Sequence, residues 1–151
     1  MAKRFEKPSD REREEKAVRL FVNDSPRFVC EKLGDHEIDF LIWEVEKPQQ
    51  PICALEIKGV KKVPSVDSEH TPIVAIKKLS ELQKYINEKR ISHVYIAWAY
   101  ADGIKYVELR DLDGDIYWGG QKIPREGSVN DHELMFKANR TEFKIKRYEQ
   151  G

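Results

Sequence analysis

The sequence predicts an α/β chain of the mixed α+β kind, a sheet flanked by helices and continued by an antiparallel extension. Three observations predict it. Two apolar strands follow one another at 37–42 and 52–59; helix-period segments precede and follow that pair; and Ala101-Asp102-Gly103 and Asp113-Gly114 cut the later chain into short strands. At 151 residues the chain is expected to be a single domain with one core, over about 9–100, and a β extension over about 101–151. Lys plus Arg equals Asp plus Glu at 27 each, so net charge alone points to no polyanionic partner. The 36% charged residues are matched by 40% hydrophobic ones, which argues against disorder. No apolar run is long enough to span a bilayer and no apolar stretch follows the basic N-terminus, so a cytoplasmic protein without membrane contact is expected. Cys30 and Cys53 lie in strands without Cys or His at ligand spacing, and read as free structural thiols.

Ser9-Asp10-Arg11-Glu12 reads as a capping box opening a helix to about Asn23, with Ala17, Val18, Phe21 and Val22 facing inward. Glu14 projects from that stripe, while the bland alternative is a solvated first-turn acid favoured by the helix dipole. Asn23 to Pro26 breaks the helix, and Arg27 to Leu33 is a first strand. Gly34-Asp35 turns into the second strand, the third follows, and a polar, mobile loop runs from Val60 to His70. Thr71-Pro72 has the chemistry of a helix start, with Ala75, Ile76, Leu79, Leu82 and Ile86 on its buried side as far as about Arg90, Gln83 bordering the stripe and Lys84 turned away. His93 to Tyr100 is a fourth strand, followed by a hairpin into Ile104 to Leu109. A second hairpin, tipped by Asp113-Gly114, leads to Ile116-Tyr117-Trp118, and Glu142 to Lys146 is a last edge strand.

The second and third strands carry charges where apolar residues belong: Asp39 in Glu37-Ile38-Asp39-Phe40, then Glu56 and Lys58 in Leu55-Glu56-Ile57-Lys58. Burying them costs several kcal/mol per unpaired charge, so they are expected to pair or to hold a metal. A hairpin centred near Pro48-Gln49 sets Asp39 across from Lys58 and diagonal to Glu56, all on one face.

That arrangement resembles the PD-(D/E)XK, or restriction-endonuclease-like, nuclease superfamily. Glu-x-Lys occurs three times, at 14/16, 56/58 and 142/144, but only the middle copy lies in an apolar strand behind another that bears an Asp. The order helix, three strands, helix, strand also resembles that core, over roughly 9–100, and Ile38 stands where the signature has Pro. The strings look most like nuclease-related-domain proteins and archaeal Holliday-junction resolvases.

The resemblance implies a DNA endonuclease dependent on Mg²⁺, with Mn²⁺ substituting, acting as a homodimer and needing no small organic cofactor. Phosphodiester hydrolysis needs an activated water and charge stabilisation at phosphorus, which a hard dication supplies. Asp39, Glu56 and the Ile57 carbonyl make a partial oxygen shell for it. Two adjacent carboxylates repel, which raises one pKa and favours a cation, and Lys58 would serve the attacking water and the phosphate. By resemblance, Glu14 adds a metal ligand and Gln83 orients the site. Lys61, Lys62 and Lys84 are candidate nucleic-acid contacts. The alternatives are a nucleic-acid-binding or assembly module of the same fold without turnover, and a plain Asp39–Lys58 ion pair.

Asp111-Leu112-Asp113-Gly114-Asp115 has its Gly too early for a calcium loop and reads as a turn. The four histidines lack ligand spacing, and only His70 is placed where it could approach a phosphate.

Overall fold

The computed structural model describes residues 8–34, 37–60, 65–119 and 133–149. The chain is α/β, of the mixed α+β kind: α1 (Pro8–Phe21), β1 (Phe28–Lys32), β2 (Phe40–Glu44), β3 (Cys53–Gly59), β4 (Ile73–Ala75), α2 (Ile76–Asn87), β5 (Val94–Ala99), β6 (Gly103–Glu108), β7 (Asp115–Gly119), β8 (Glu133–Lys137) and β9 (Lys144–Arg147). A six-stranded sheet runs in the order β1-β2-β3-β5-β6-β9, and β4-β8-β7 form a smaller antiparallel one. Every pairing in the large sheet is antiparallel except β3 with β5, whose parallel register requires the crossover that α2 supplies.

Side-chain alternation along β3 builds two cores. Leu55 and Ile57 join Phe40, Ile42, Ala97, Ala99 and Ile104 beneath Ala17 and Val18 of α1. Ala54 joins Ile96, Trp98 and Val94 on the opposite face beneath Leu82 and Tyr85 of α2. Glu56, between Leu55 and Ile57, therefore shares the α2 side with Ala54.

α1 ends at Phe21, two residues before the expected Asn23, in a Schellman arrangement. Asp24 N–H donates to the Arg19 carbonyl at 2.7 Å and Asn23 N–H to the Leu20 carbonyl at 3.1 Å, with Asn23 at φ 58°. Its start differs slightly: the helix begins at Pro8, ahead of the expected Ser9 cap, and proline suits a first turn whose N–H has no helical partner. Cys30 and Cys53 are free, and burial pushes the Cys53 thiol up to about 12.

Four expectations need correction. Thr71-Pro72 does not open α2. Residues 73–75 form β4, Val74 is buried opposite Phe136, and the helix begins at Ile76 after Ala75, which provides no side-chain cap. The Trp98 indole N–H donates to the Ile73 carbonyl at 3.0 Å, fixing this strand to the sheet below. Asp113-Gly114 is not the tip of a hairpin with β6, because β7 pairs with β8, a strand that local patterning did not reveal. The turn is tied instead by Arg140, whose guanidinium donates to the Asp115 carboxylate at 2.7 Å and the Gly114 carbonyl at 2.6 Å. The loop before β4 is not free throughout its described part. Val66 is wholly buried and its N–H donates to the Asp102 carboxylate at 2.7 Å.

The fourth correction concerns register. β2 pairs with β3 through Phe40–Leu55, Leu41–Ala54 and Ile42–Cys53, which brings Asp39 level with Glu56 and not with Lys58. The connection closes early, through the Glu44–Lys47 bridge and an Ile52 N–H donated to the Ile42 carbonyl at 2.8 Å. A two-residue slip preserves the face of every side chain, so the polar residues still share a side while their direct partners change. Among the described residues no helix is long and apolar enough to cross a membrane.

Candidate functional site

The site forms where β2 and β3 part. The backbone ladder stops at Phe40–Leu55, and two side chains take over the main-chain groups beyond it. Ile57 N–H donates to Asp39 Oδ2 at 2.8 Å, and Asp39 N–H donates to Glu56 Oε1 at 3.3 Å. Each carboxylate thus satisfies a donor that the diverging strands leave behind, which fixes both at the mouth of the split.

Glu56 is the single buried charged residue among the described residues, at 5% exposure. Burial first, and then the charge of Asp39, raise its pKa to about 7, against the opposing pull of Lys78 and Lys58. The residue that meets its second oxygen was not anticipated: Lys78 of α2 brings its Nζ to 3.2 Å from Glu56 Oε2. Asp39 is matched in the same way by another unanticipated lysine. Lys32 Nζ of β1 lies 3.2 Å from Asp39 Oδ1 and 2.8 Å from Glu14 Oε2, so one ammonium bridges α1 to the residue just before β2. Burial depresses the Lys32 pKa, but its two acidic neighbours outweigh that and the net direction is upward.

The structure therefore brings Asp39, Glu56 and Glu14 into one charged cluster, with Lys58 half-buried on the Glu56 side of β3. It does not bring in Gln83. That side chain is exposed and donates to Asn87 Oδ1 at 3.3 Å along α2. Lys84 is likewise exposed on α2, and Lys61 and Lys62 lie outside the described residues. His70 sits against Tyr100, with Nδ1 3.0 Å from the phenol oxygen.

Two supports come from positions that carried no sequence signal. Tyr85 of α2 accepts a hydrogen bond from Ile38 N–H at 2.9 Å and donates to the Glu37 carboxylate, anchoring the backbone just before Asp39. Arg13 lies across Gly59, where any Cβ would collide with the guanidinium, and pairs with Asp10 at 3.0 Å. Lys78 was hidden for a general reason: a lysine on a helix surface reads as solvated until the fold shows what it overhangs.

No group of three or more His, Cys, Asp or Glu side chains is placed to hold a metal ion among the described residues. Glu14 is turned to Lys32, whose ammonium separates it from Asp39. The remaining pair, Asp39 and Glu56, fits the chemistry of Mg²⁺, which takes one or two carboxylates and completes its octahedron with water and phosphate. No known family model, curated protein or solved structure matches this chain.

Proposed function

We propose that the chain is a Mg²⁺-dependent DNA endonuclease that hydrolyses phosphodiester bonds, with Mn²⁺ able to substitute, acting as a homodimer because two sites are needed to cut both strands. The observation that carries this reading is Glu56, buried, raised in pKa and set beside a second carboxylate. Burying an ionisable group next to a like charge costs stability, and such costs concentrate where chemistry uses them. The order of α1, the β1-β2-β3 meander, α2 and β5 supports the likeness to PD-(D/E)XK nucleases.

Asp39 and Glu56 would hold the dication with the Ile57 carbonyl, and Glu14 would join them on leaving Lys32. When bound, the ion supplies Lewis-acid stabilisation of charge at phosphorus and a more acidic water. The chain's own groups do the rest. The Ile57 N–H keeps Asp39 turned into the split. Lys58, two residues beyond Glu56 on the same face of β3, orients the attacking water and offsets charge on the phosphate oxygens. Gln83 is engaged with Asn87 on the exposed side of α2.

A second reading, a nucleic-acid-binding or assembly module without turnover, is favoured by the pairing of the carboxylates with Lys32 and Lys78. One assay separates the two. Supercoiled, branched and single-stranded DNA are incubated with Mg²⁺ or Mn²⁺ and wild type, Asp39→Ala or Lys58→Ala. Nicking by wild type that falls at least about a hundredfold in both variants is the expected result, in keeping with the loss of a metal ligand or a proton-transfer group. Equal nicking by all three proteins overturns the endonuclease reading, and metal binding without cleavage of any substrate favours the second.

A further inference from the structure

The unanticipated lysines suggest how the site changes state. We propose that Lys32 and Lys78 are exchangeable internal counter-ions, which neutralise the site carboxylates in the metal-free protein and turn to a DNA phosphate when a divalent cation replaces them. The inference rests on the metal-dependent reading above and assigns two further substrate-contacting residues to it.

Three observations carry it. First, the two ammonium groups cover both carboxylates from opposite sides: Lys32 from β1 on Asp39 Oδ1 at 3.2 Å, Lys78 from α2 on Glu56 Oε2 at 3.2 Å. With Glu56 ionised, two monocations and one dication carry the same charge, so the exchange leaves Asp39 and Glu56 balanced. It also frees two positive groups beside a bound phosphodiester, which brings negative charge with it. Second, both ammonium groups reach solvent. The side chains of Lys32 and Lys78 are 41% and 27% exposed, so each head can swing into water along its flexible stem without being stranded in the core. Third, each has an alternative neighbour. Lys32 is 2.8 Å from Glu14 Oε2 of α1 and 5.3 Å from the centre of the Phe40 ring, and Lys78 is 3.7 Å from Glu81 Oε2 on the surface of α2. A guanidinium would grip a carboxylate with two parallel bonds and resist exchange, whereas an ammonium is a compact charge with rotatable donors.

Calorimetric titration of Mg²⁺ into wild type, Lys32→Met and Lys78→Met tests the first half of the exchange. Removing a competing cation should tighten Mg²⁺ binding about threefold to tenfold in each variant, the range expected for losing one partly exposed ion pair. Fluorescence anisotropy of a labelled DNA duplex in Mg²⁺, with every protein carrying Lys58→Ala to prevent cleavage, tests the second half. The same Met substitutions should weaken DNA binding about threefold to tenfold, and Lys78→Arg should restore DNA affinity without tightening Mg²⁺. Opposite changes in metal and DNA affinity support the proposal, because a merely structural ion pair would loosen both or neither. Wild-type Mg²⁺ binding with unchanged or weaker affinity in both Met variants overturns the exchange and leaves the metal-dependent reading standing. Absence of Mg²⁺ binding by wild type overturns both.

Discussion

Glu56 makes the stability of the metal-free protein depend on pH. Its folded-state pKa is raised from 4.5 to about 7 by burial and by Asp39, so between those values the native state holds a proton that the unfolded chain has released. Stability therefore falls as pH rises through that window and stays lower above it. Glu56→Gln keeps an oxygen for the Asp39 N–H and carries no charge. Thermal melts should show the variant equal to wild type near pH 4 and more stable by about 5 °C at pH 8, and a wild-type advantage at pH 8 would contradict the assignment. A dication favours ionised Glu56, so Mg²⁺ binding at pH 7 should release about half a proton, and at pH 9 almost none. Calorimetry in two buffers of different ionisation enthalpy measures that number. At this scale the sequence was informative about Asp39, Glu56 and Lys58, because charges inside apolar strands are anomalies visible in one dimension. Lys32, Lys78 and Tyr85 carried no such signal, since each looks ordinary on its own element and acquires meaning from what it touches.

The elements explain why the site has its shape. β3 is central, pairing antiparallel with β2 and parallel with β5, and α2 is the link that makes the parallel pairing possible. Leu82 is the fully buried residue by which α2 grips the sheet, and Leu82→Ala should cost about 2–5 kcal/mol, read by denaturant titration. The same variant should weaken Mg²⁺ binding, because Tyr85, which anchors the backbone just before Asp39, reaches the site from that helix. The far edge is separable from the site. A Cβ on Gly103 would run into the Lys146 carbonyl, so Gly103→Ala should detach β9 from β6 and raise hydrogen exchange in residues 144–147 while leaving Mg²⁺ affinity unchanged. α1, the three-strand meander, β5, β6 and the last edge strand were legible because periodicity and turn residues are local properties. β4 and β8 were not. Three residues after a proline are too few to show a period, and β8 follows a weakly patterned stretch.

For the whole molecule, a balanced charge means that DNA affinity must come from local groups. With Lys32, Lys58 and Lys78 each meeting one phosphate, the logarithm of the binding constant should fall against the logarithm of salt concentration with a slope of about −3. Sedimentation velocity tests the homodimer, with a species of twice the chain mass as the expected outcome. The sequence by itself determined the α/β class, the order of the principal elements and the carboxylate pair, because alternation, helical period and misplaced charge are all written along the chain. Only the tertiary structure decided the pairing of Asp39 with Glu56, the second sheet, the absence of Gln83 from the cluster and the arrival of two lysines. Register and inter-element contact depend on where distant segments come to rest, and a hairpin slipped by two residues keeps the same hydrophobic pattern while exchanging every partner.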